Sequence, residues 1–490
     1  MDRRQFIEKL SLGIAAAGVS PILNAPFPRS APEIETKGEQ PNFLFIIADD
    51  LMYRTIHSLN NPEVHTPNLD RLVAKGCAFT HCFHQGAWTG AVCVPSRMML
   101  NSGLSAFHVE NGLQNVHLWG QTLGAAGYDT YICGKWHLDP TSLARSFKET
   151  GPVAPGFLES TPEGGAAYDR PSPGNTWDPT DYGQKGHWLH TALWLKENPD
   201  RIEHSSELYA NSVINHLTHK VAKRKTPFMI YLGFNAPHDP RQAPQEYLDM
   251  YPQDKVEIPP NYLPLHPFDQ GDAKVRDEML APFPRTKEAV QLHRREYYAI
   301  ITHMDHQIGR ILDALDKSGK ASNTYVILTA DHGLAVGEHG LLGKQNLYDC
   351  STRMPLLISG PGVTPGKRVD ELVYQHSMFP TTCELAGIPI PSTVEFPSIA
   401  PLLKGTESTG PEAVFSYYSN LQRMVRTKKH KLIVYPKVPK VQLFDLEADP
   451  WEAHDLSDDP AVTDIKTDLI IRLKQFQKTL GDPLSLDHII

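Results

Sequence analysis

With 490 residues, 40% of them apolar and 21% charged, the chain has the composition of a folded globular protein rather than a disordered one. Its 47 Lys and Arg against 56 Asp and Glu give a formal charge of −9, which disfavours non-specific nucleic-acid binding, since that needs a net basic surface. The length allows up to about three domains, and 41 prolines predict long ordered loops.

At the N-terminus, Arg3 and Arg4 precede Gln5-Phe6-Ile7 and an apolar, small-residue stretch over 10–23, a basic segment followed by a hydrophobic one. The stretch is too short to span a bilayer comfortably, and Arg3-Arg4-Gln5-Phe6-Ile7 resembles a bacterial twin-arginine export signal. A mature chain beginning between residues 26 and 40 and exported to the periplasm or beyond is expected. No later segment approaches roughly 18 uninterrupted apolar residues, so no stable membrane insertion is expected. The cysteines Cys77, Cys82, Cys93, Cys133, Cys350 and Cys383 show no paired zinc spacing.

Residues 42–48 (NFLFIIA) form a continuous apolar run that predicts a buried parallel strand, with Asp49 and Asp50 emerging at its C-terminal end. The pattern recurs where residues 129–133 lead into Gly134-Lys135-Trp136-His137, 228–234 into Asn235-Ala236-Pro237-His238, and 324–329 into Asp331-His332-Gly333. Between these strands, Ala210, Val213, Ile214, Leu217 and Val221, and later Tyr298, Ile301, Met304, Ile308 and Leu312, have helical spacing. Alternating strands and helices predict a doubly wound, mostly parallel α/β sheet, whose ligands bind beyond the carboxyl ends of the strands. The polar clusters are therefore expected to meet on one edge.

Cys93-Val94-Pro95-Ser96-Arg97 opens another helical run, its proline suited to a first turn. Cys93 and Arg97, four apart, share a face at the positive end of that helix. A lone cysteine would by itself read as a small buried hydrophobe. A Pro-rich stretch over about 240–286 shows no period and predicts a long excursion over the rim of the site. Beyond Pro397, short runs at 414–418, 424–427, 431–435 and 442–445 and a helix over 462–480 predict a small antiparallel sheet with one helix. The expected division is a signal and linker over 1–35, a catalytic domain over 40–395 and an α+β subdomain over 396–490.

The pentapeptide Cys93 to Arg97 resembles the C-x-P-S-R signature of type I, formylglycine-dependent sulfatases of the alkaline-phosphatase-like superfamily. Around it, residues 41–50, Thr66-Pro67-Asn68-Leu69-Asp70, Gly134-Lys135-Trp136-His137, Ala236-Pro237-His238, Asp331-His332-Gly333, and Gly337-Glu338-His339-Gly340 with Lys344 follow that family's order. Leu443-Phe444-Asp445-Leu446 and Asp449-Pro450 resemble its C-terminal subdomain, so the likeness spans about 40–460. It implies that a formylglycine-generating maturase oxidises Cys93 to an aldehyde, whose hydrate supplies one hydroxyl to attack sulfur and a second to expel sulfate. Asp49, Asp50 and Asp331 are hard oxygen ligands suited to Ca²⁺, with Mg²⁺ or Mn²⁺ as lesser choices; Cys93 and His332 complete the implied metal set. Arg97, Lys135 and Lys344 would neutralise sulfate oxygens. His137 would take a proton from the second hydroxyl, and His238 with Lys344 would hold sulfate and assist the departing alcohol.

Two positions depart from the pattern. His332 stands where many members carry Asn, and imidazole is a less natural Ca²⁺ ligand than an amide oxygen. Residues 98–104 (MMLNSGL) stand where a Thr-Gly-Arg ending is common, so a positive charge is missing. The resemblance implies hydrolysis of a sulfate ester, on a carbohydrate, to alcohol and inorganic sulfate. Its rivals are a phosphomonoesterase or phosphonate monoester hydrolase of the same fold, and a sulfated-glycan-binding pseudoenzyme. Trp88, Trp119, Trp136, Trp177, Trp188 and Trp194 could line a sugar cleft, although aromatic residues belong to the core by default.

Overall fold

The computed structural model describes residues 39–490 apart from 155, 157–166, 183–191, 196–197, 272–274 and 408. The expected export signal and the side chains of Trp188 and Trp194 lie outside the described residues. The strands, in chain order, are β1 (Asn42–Ala48), β2 (Cys77–Phe83), β3 (Gly86–Ala87), β4 (Asp129–Lys135), β5 (Glu149–Ala154), β6 (Ala192–Leu195), β7 (Asn198–His204), β8 (Phe228–Gly233), β9 (Thr324–Ala330), β10 (Arg353–Ser359), β11 (Lys367–Tyr374), β12 (Val414–Tyr418), β13 (Gln422–Arg426), β14 (His430–Tyr435) and β15 (Lys440–Asp445).

Eight strands form the central sheet in the order β11-β2-β10-β9-β1-β8-β4-β5. Every neighbouring pair is parallel except those made by β10, which runs against both β2 and β9. Strand β1 lies near the middle, every residue buried, as its unbroken apolar run requires. Its pairing with β8 and β9 continues past the strand ends, where Asp49 N–H donates to Ala236 O (3.1 Å) and Asp331 N–H to Ala48 O (3.2 Å). These bonds bring three of the polar strand ends side by side.

Helices cover the sheet. The longest, Lys287–Lys317, starts at Thr286, whose side-chain oxygen accepts from Ala289 N–H, and buries Tyr297, Ile301, Met304 and Ile308. Within it, Asp305 accepts from the backbone N–H groups of Asn68 (3.1 Å) and Leu69 (2.7 Å), capping the helix Pro67–Lys75. The helix Ser205–His219 packs on the long one. Trp119 and Trp136 are fully buried among Phe45, Tyr231 and Phe147, so these two rings belong to the core and not to a sugar cleft.

A second sheet has the order β15-β14-β13-β12-β3, with the helix Thr463–Leu480 contributing Leu469 and Leu473 to its core. Four of its strands are antiparallel, as the sequence suggests. The fifth is the short β3, which pairs in parallel with β12 through Gly86↔Tyr417 and Ala87↔Tyr418. Gly86 sits at φ 107°, and a Cβ there would fall 2.0 Å from Tyr417 O, so only glycine permits this approach. The segment leading to Cys93 is thereby stitched to the C-terminal sheet.

Candidate active site

The polar ends of β1, β4 and β9, the loop after β8 and the helix Cys93–Ser102 meet in one buried cluster. Cys93 sits in the first turn of its helix and Arg97 one turn further; both are buried. Ser96 Oγ donates to Asp331 O (2.7 Å), Arg97 Nε to Asp331 Oδ2 (3.0 Å) and Arg97 Nη1 to Lys135 O (2.8 Å), fixing this helix to the ends of β9 and β4. Lys135 Nζ donates to Asp49 Oδ2 and lies 3.8 Å from Cys93 Sγ. Lys344 Nζ donates to Asp50 Oδ1 (2.7 Å), and His238 Nε2 lies 3.9 Å from Asp50 Oδ2.

Ligand atoms of Asp49, Cys93, Asp331 and His332 lie within 4.8 Å of one another, as do those of Asp49, Asp50 and His238. Asp50 Oδ2 and His332 Nε2 are buried and have no hydrogen-bond partner. Burial, reinforced by Asp49, pushes the Asp50 carboxyl up to about 8 against the opposing pull of Lys344. An oxygen-rich cluster of such groups fits a hard divalent cation. His332 Nδ1 lies 3.0 Å from Gly333 O, a hydrogen bond that puts the proton on Nδ1 and leaves the Nε2 lone pair facing Asp331 Oδ1 (3.5 Å) and Asp49 Oδ1 (4.0 Å). An imidazole turned this way is able to offer Nε2 to a metal.

His137 stands at the margin, half-buried, with Nδ1 lacking a hydrogen-bond partner. Burial first, then the Lys135 charge, hold its imidazole down at about 2, so it is neutral at physiological pH. Asp50 and His137 both adopt left-handed backbone conformations (φ 70° and 62°), uncommon for residues with a side chain and a form of local strain found at functional sites. Thus nine of the ten residues singled out from the sequence share direct contacts or ligand-distance groupings, and His137 faces them through its charge environment.

Several supporting side chains were not singled out. Asp239 follows His238 directly, with Oδ1 3.2 Å from His238 Nδ1. Arg276, Asp277 and Gln345 line the approach to Lys344, with Gln345 Nε2 donating to Asp277 Oδ2 (2.7 Å) and to Gly90 O (2.8 Å). Only the adjacency of Asp239 to His238 offered a sequence signal; Arg276 and Asp277 sit in the stretch without periodicity.

This fold and site define a hydrolase of the sulfatase family, and the chain belongs to that family: the sulfatase profile matches residues 41–388. A second profile, N-sulphoglucosamine sulphohydrolase, C-terminal, matches residues 337–479. The chain is a sulfuric ester hydrolase of the alkaline-phosphatase-like fold. It is similar to a choline-sulfatase of Rhizobium meliloti, with 27% identity over 446 residues, 86% of this chain and 83% of the relative. Among solved structures, one in complex with its substrate D-glucosamine-2-N,6-O-disulfate superposes with a TM-score of 0.70 at 22% identity, covering 91% of this chain and 99% of that one. The phosphonate monoester hydrolase of Agrobacterium radiobacter shares the fold with a TM-score of 0.69 at 20% identity, over 90% and 96% of the two chains.

Proposed function

We propose that the chain hydrolyses a carbohydrate sulfate ester to an alcohol and inorganic sulfate, with Cys93 carried as formylglycine and one divalent metal, Ca²⁺ in preference to Mg²⁺ or Mn²⁺. Asp49, Asp50, Asp331 and His332 would hold the metal together with the modified residue 93. The observation that carries this reading is the convergence of three buried carboxylates, Cys93 and an imidazole with its lone pair directed inward, ringed by Arg97, Lys135 and Lys344. When bound, the metal polarises a sulfate oxygen and orients the nucleophile. Formylglycine, as its hydrate, supplies the attacking hydroxyl and the one that later releases sulfate.

The chain's own residues divide the remaining work. Arg97 locks Asp331 in place, and Lys135, 3.8 Å from Cys93 Sγ, neutralises negative charge on residue 93 and on the sulfate. His137, kept neutral, removes a proton from the second hydroxyl. His238 Nε2 and Lys344 Nζ grip the sulfate and deliver a proton to the departing oxygen, which an alkoxide of high basicity needs.

Three observations support a carbohydrate substrate. The C-terminal profile is that of N-sulphoglucosamine sulphohydrolases, a glucosamine disulfate occupies the structural relative, and a long Pro-rich stretch supplies Arg276 and Asp277 beside the site. Export by the Arg3-Arg4 signal would place the enzyme where polysaccharides are met, and among the described residues no helix is long and apolar enough to cross a membrane. The complete set Cys93, Arg97, Lys135, His137, His238 and Lys344 favours sulfate hydrolysis over phosphonate hydrolysis and over a binding-only role. Mass spectrometry of the peptide containing Cys93 from matured protein should show the aldehyde or its hydrate, alongside a desulfation screen in which sulfated saccharides outpace choline sulfate and 4-nitrophenyl sulfate. Unmodified thiol in fully active protein would overturn the nucleophile, and preference for choline or aryl sulfate the carbohydrate.

A further inference from the structure

We propose that Arg276 is a positioning residue for proton delivery to the departing alcohol, acting on His238 through Asp239 and on Lys344 through Asp277. The inference rests on the reading of His238 and Lys344 given above. His238 Nδ1 lies 2.7 Å from Asp239 O and 3.2 Å from Asp239 Oδ1, which turns Nε2 toward the cluster. Asp239 is itself held from behind: Arg276 Nη1 donates to Oδ2 (3.1 Å), Arg276 Nη2 to Oδ1 (3.2 Å) and Tyr168 OH to Oδ2 (3.1 Å). The same guanidinium donates through Nη2 to Asp277 Oδ1. Asp277 Oδ2 accepts from Gln345 and lies 3.9 Å from Lys344 Nζ.

One cation therefore bridges two buried carboxylates, each standing behind one of the two groups to which the proposed function gives the departing oxygen. Asp239 and Asp277 are both 1% exposed, and two such carboxylates side by side repel unless a cation lies between them. The planar fork of arginine can grip both at once, whereas a lysine ammonium reaches one well. As the S–O bond breaks, its electron pair passes to the alcohol oxygen, which takes the proton from Nε2 of the His238 imidazolium. The Nδ1 proton stays on the ring, donated to Asp239, and the imidazole is left neutral. Arg276 touches neither sulfate nor alcohol in this step. It fixes the aim of the donors.

The discriminating measurement is the slope of log kcat/KM against leaving-group pKa over a series of substituted phenyl sulfates, from nitrophenyl to unsubstituted phenyl, with the matured full chain. Good leaving groups need no acid, whereas poor ones do. Arg276→Met should lose about 10- to 100-fold on the poorest leaving group and markedly less on the best, so that the slope steepens, with Arg276→Lys between it and the parent. His238→Ala should steepen the slope too, and adding Arg276→Met to it should cost less than Arg276→Met does alone. Parallel lines displaced by one constant factor in Arg276→Met, or equal costs in both backgrounds, would overturn the proposal while leaving His238 as the acid. An unchanged slope in His238→Ala would instead overturn the acid assignment on which it rests.

Discussion

Two of the places where the molecule buries charge are treated differently. Where the second sheet meets β10, Asp349 is ringed by Arg426 (3.2 Å), Lys431 (2.5 Å) and Arg353 (3.4 Å), and Lys431 also meets Glu452 at 2.6 Å. Burial alone would raise the Asp349 carboxyl, but Arg426, Lys431 and Arg353 outweigh it and hold the group well below its usual range. In the cluster at the end of β1, by contrast, Asp50 is pushed up to about 8 even with Lys344 beside it, and Asp50 Oδ2 and His332 Nε2 have no hydrogen-bond partner. The backbone of Asp50 is also held in an unfavourable conformation. The Asp349 carboxylate has three cations of the chain around it and serves the fold; the three carboxylates at the end of β1 meet one cation each, and Asp50 Oδ2 is left without a hydrogen-bond partner.

Removing a charge should therefore have opposite consequences in the two places. Lys431→Met strips both Asp349 and Glu452 of a buried partner and is expected to lower stability by about 3–5 kcal/mol in denaturant titration, with kcat per folded molecule retained. Asp50→Asn should do the reverse, cutting kcat by about 10²–10³, roughly 3–4 kcal/mol in the barrier, and weakening Ca²⁺ binding measured by calorimetry, with the unfolding midpoint preserved or raised. A kcat loss in Lys431→Met as large as that in Asp50→Asn would dissolve the distinction. Gly156→Ala sharpens it further: the new Cβ would lie 2.1 Å from His137 Nε2, so the ring must move. Activity should fall by about 10- to 100-fold with little change in melting temperature.

The smallest effect is a pH dependence confined to the first cluster. In metal-free protein Asp50 binds a proton up to about pH 8 that the unfolded chain releases near its ordinary 3.8, so its contribution to stability is lost progressively as pH rises across that interval. Below 6.5 the buried imidazoles of His84 (about 3), His137 (about 2) and His266 (about 4), which take up protons on unfolding, lower stability as pH falls. Between pH 6.5 and 8, then, metal-free wild type should lose up to about 1.4 kcal/mol per pH unit relative to Asp50→Asn, and saturating Ca²⁺ should abolish the difference. Equal pH slopes for the two proteins would show that Asp50 does not hold this proton.

The two regions also differ in how openly the sequence announces them. Strands β1, β4, β8 and β9 read out because each is a continuous apolar run ending in polar residues, and the doubly wound sheet follows from their alternation with helices. The four runs of the second sheet are legible through their spacing, to within two residues at each end. Strands β2, β5, β10 and β11 were not singled out; β10 runs antiparallel, and nothing in its RMPLLIS pattern fixes direction. Asp239, Arg276 and Asp277 escape for a related reason. Their role comes from contacts between a loop after β8 and an aperiodic stretch nearly forty residues further on, and no local spacing encodes such a meeting.

The pairing of Gly86 and Ala87 with Tyr417 and Tyr418 bears on how the protein is made. The short strand just ahead of Cys93 has its partner more than three hundred residues later, so during synthesis it waits for nearly the whole chain. At about 5–20 residues per second, that interval lasts on the order of 15–65 s. In the folded chain Cys93 is 2% exposed and closed to any protein-sized catalyst. On the proposal that residue 93 is converted to formylglycine, the time between the emergence of residue 93 and that of residue 418 is the interval in which a maturase would act.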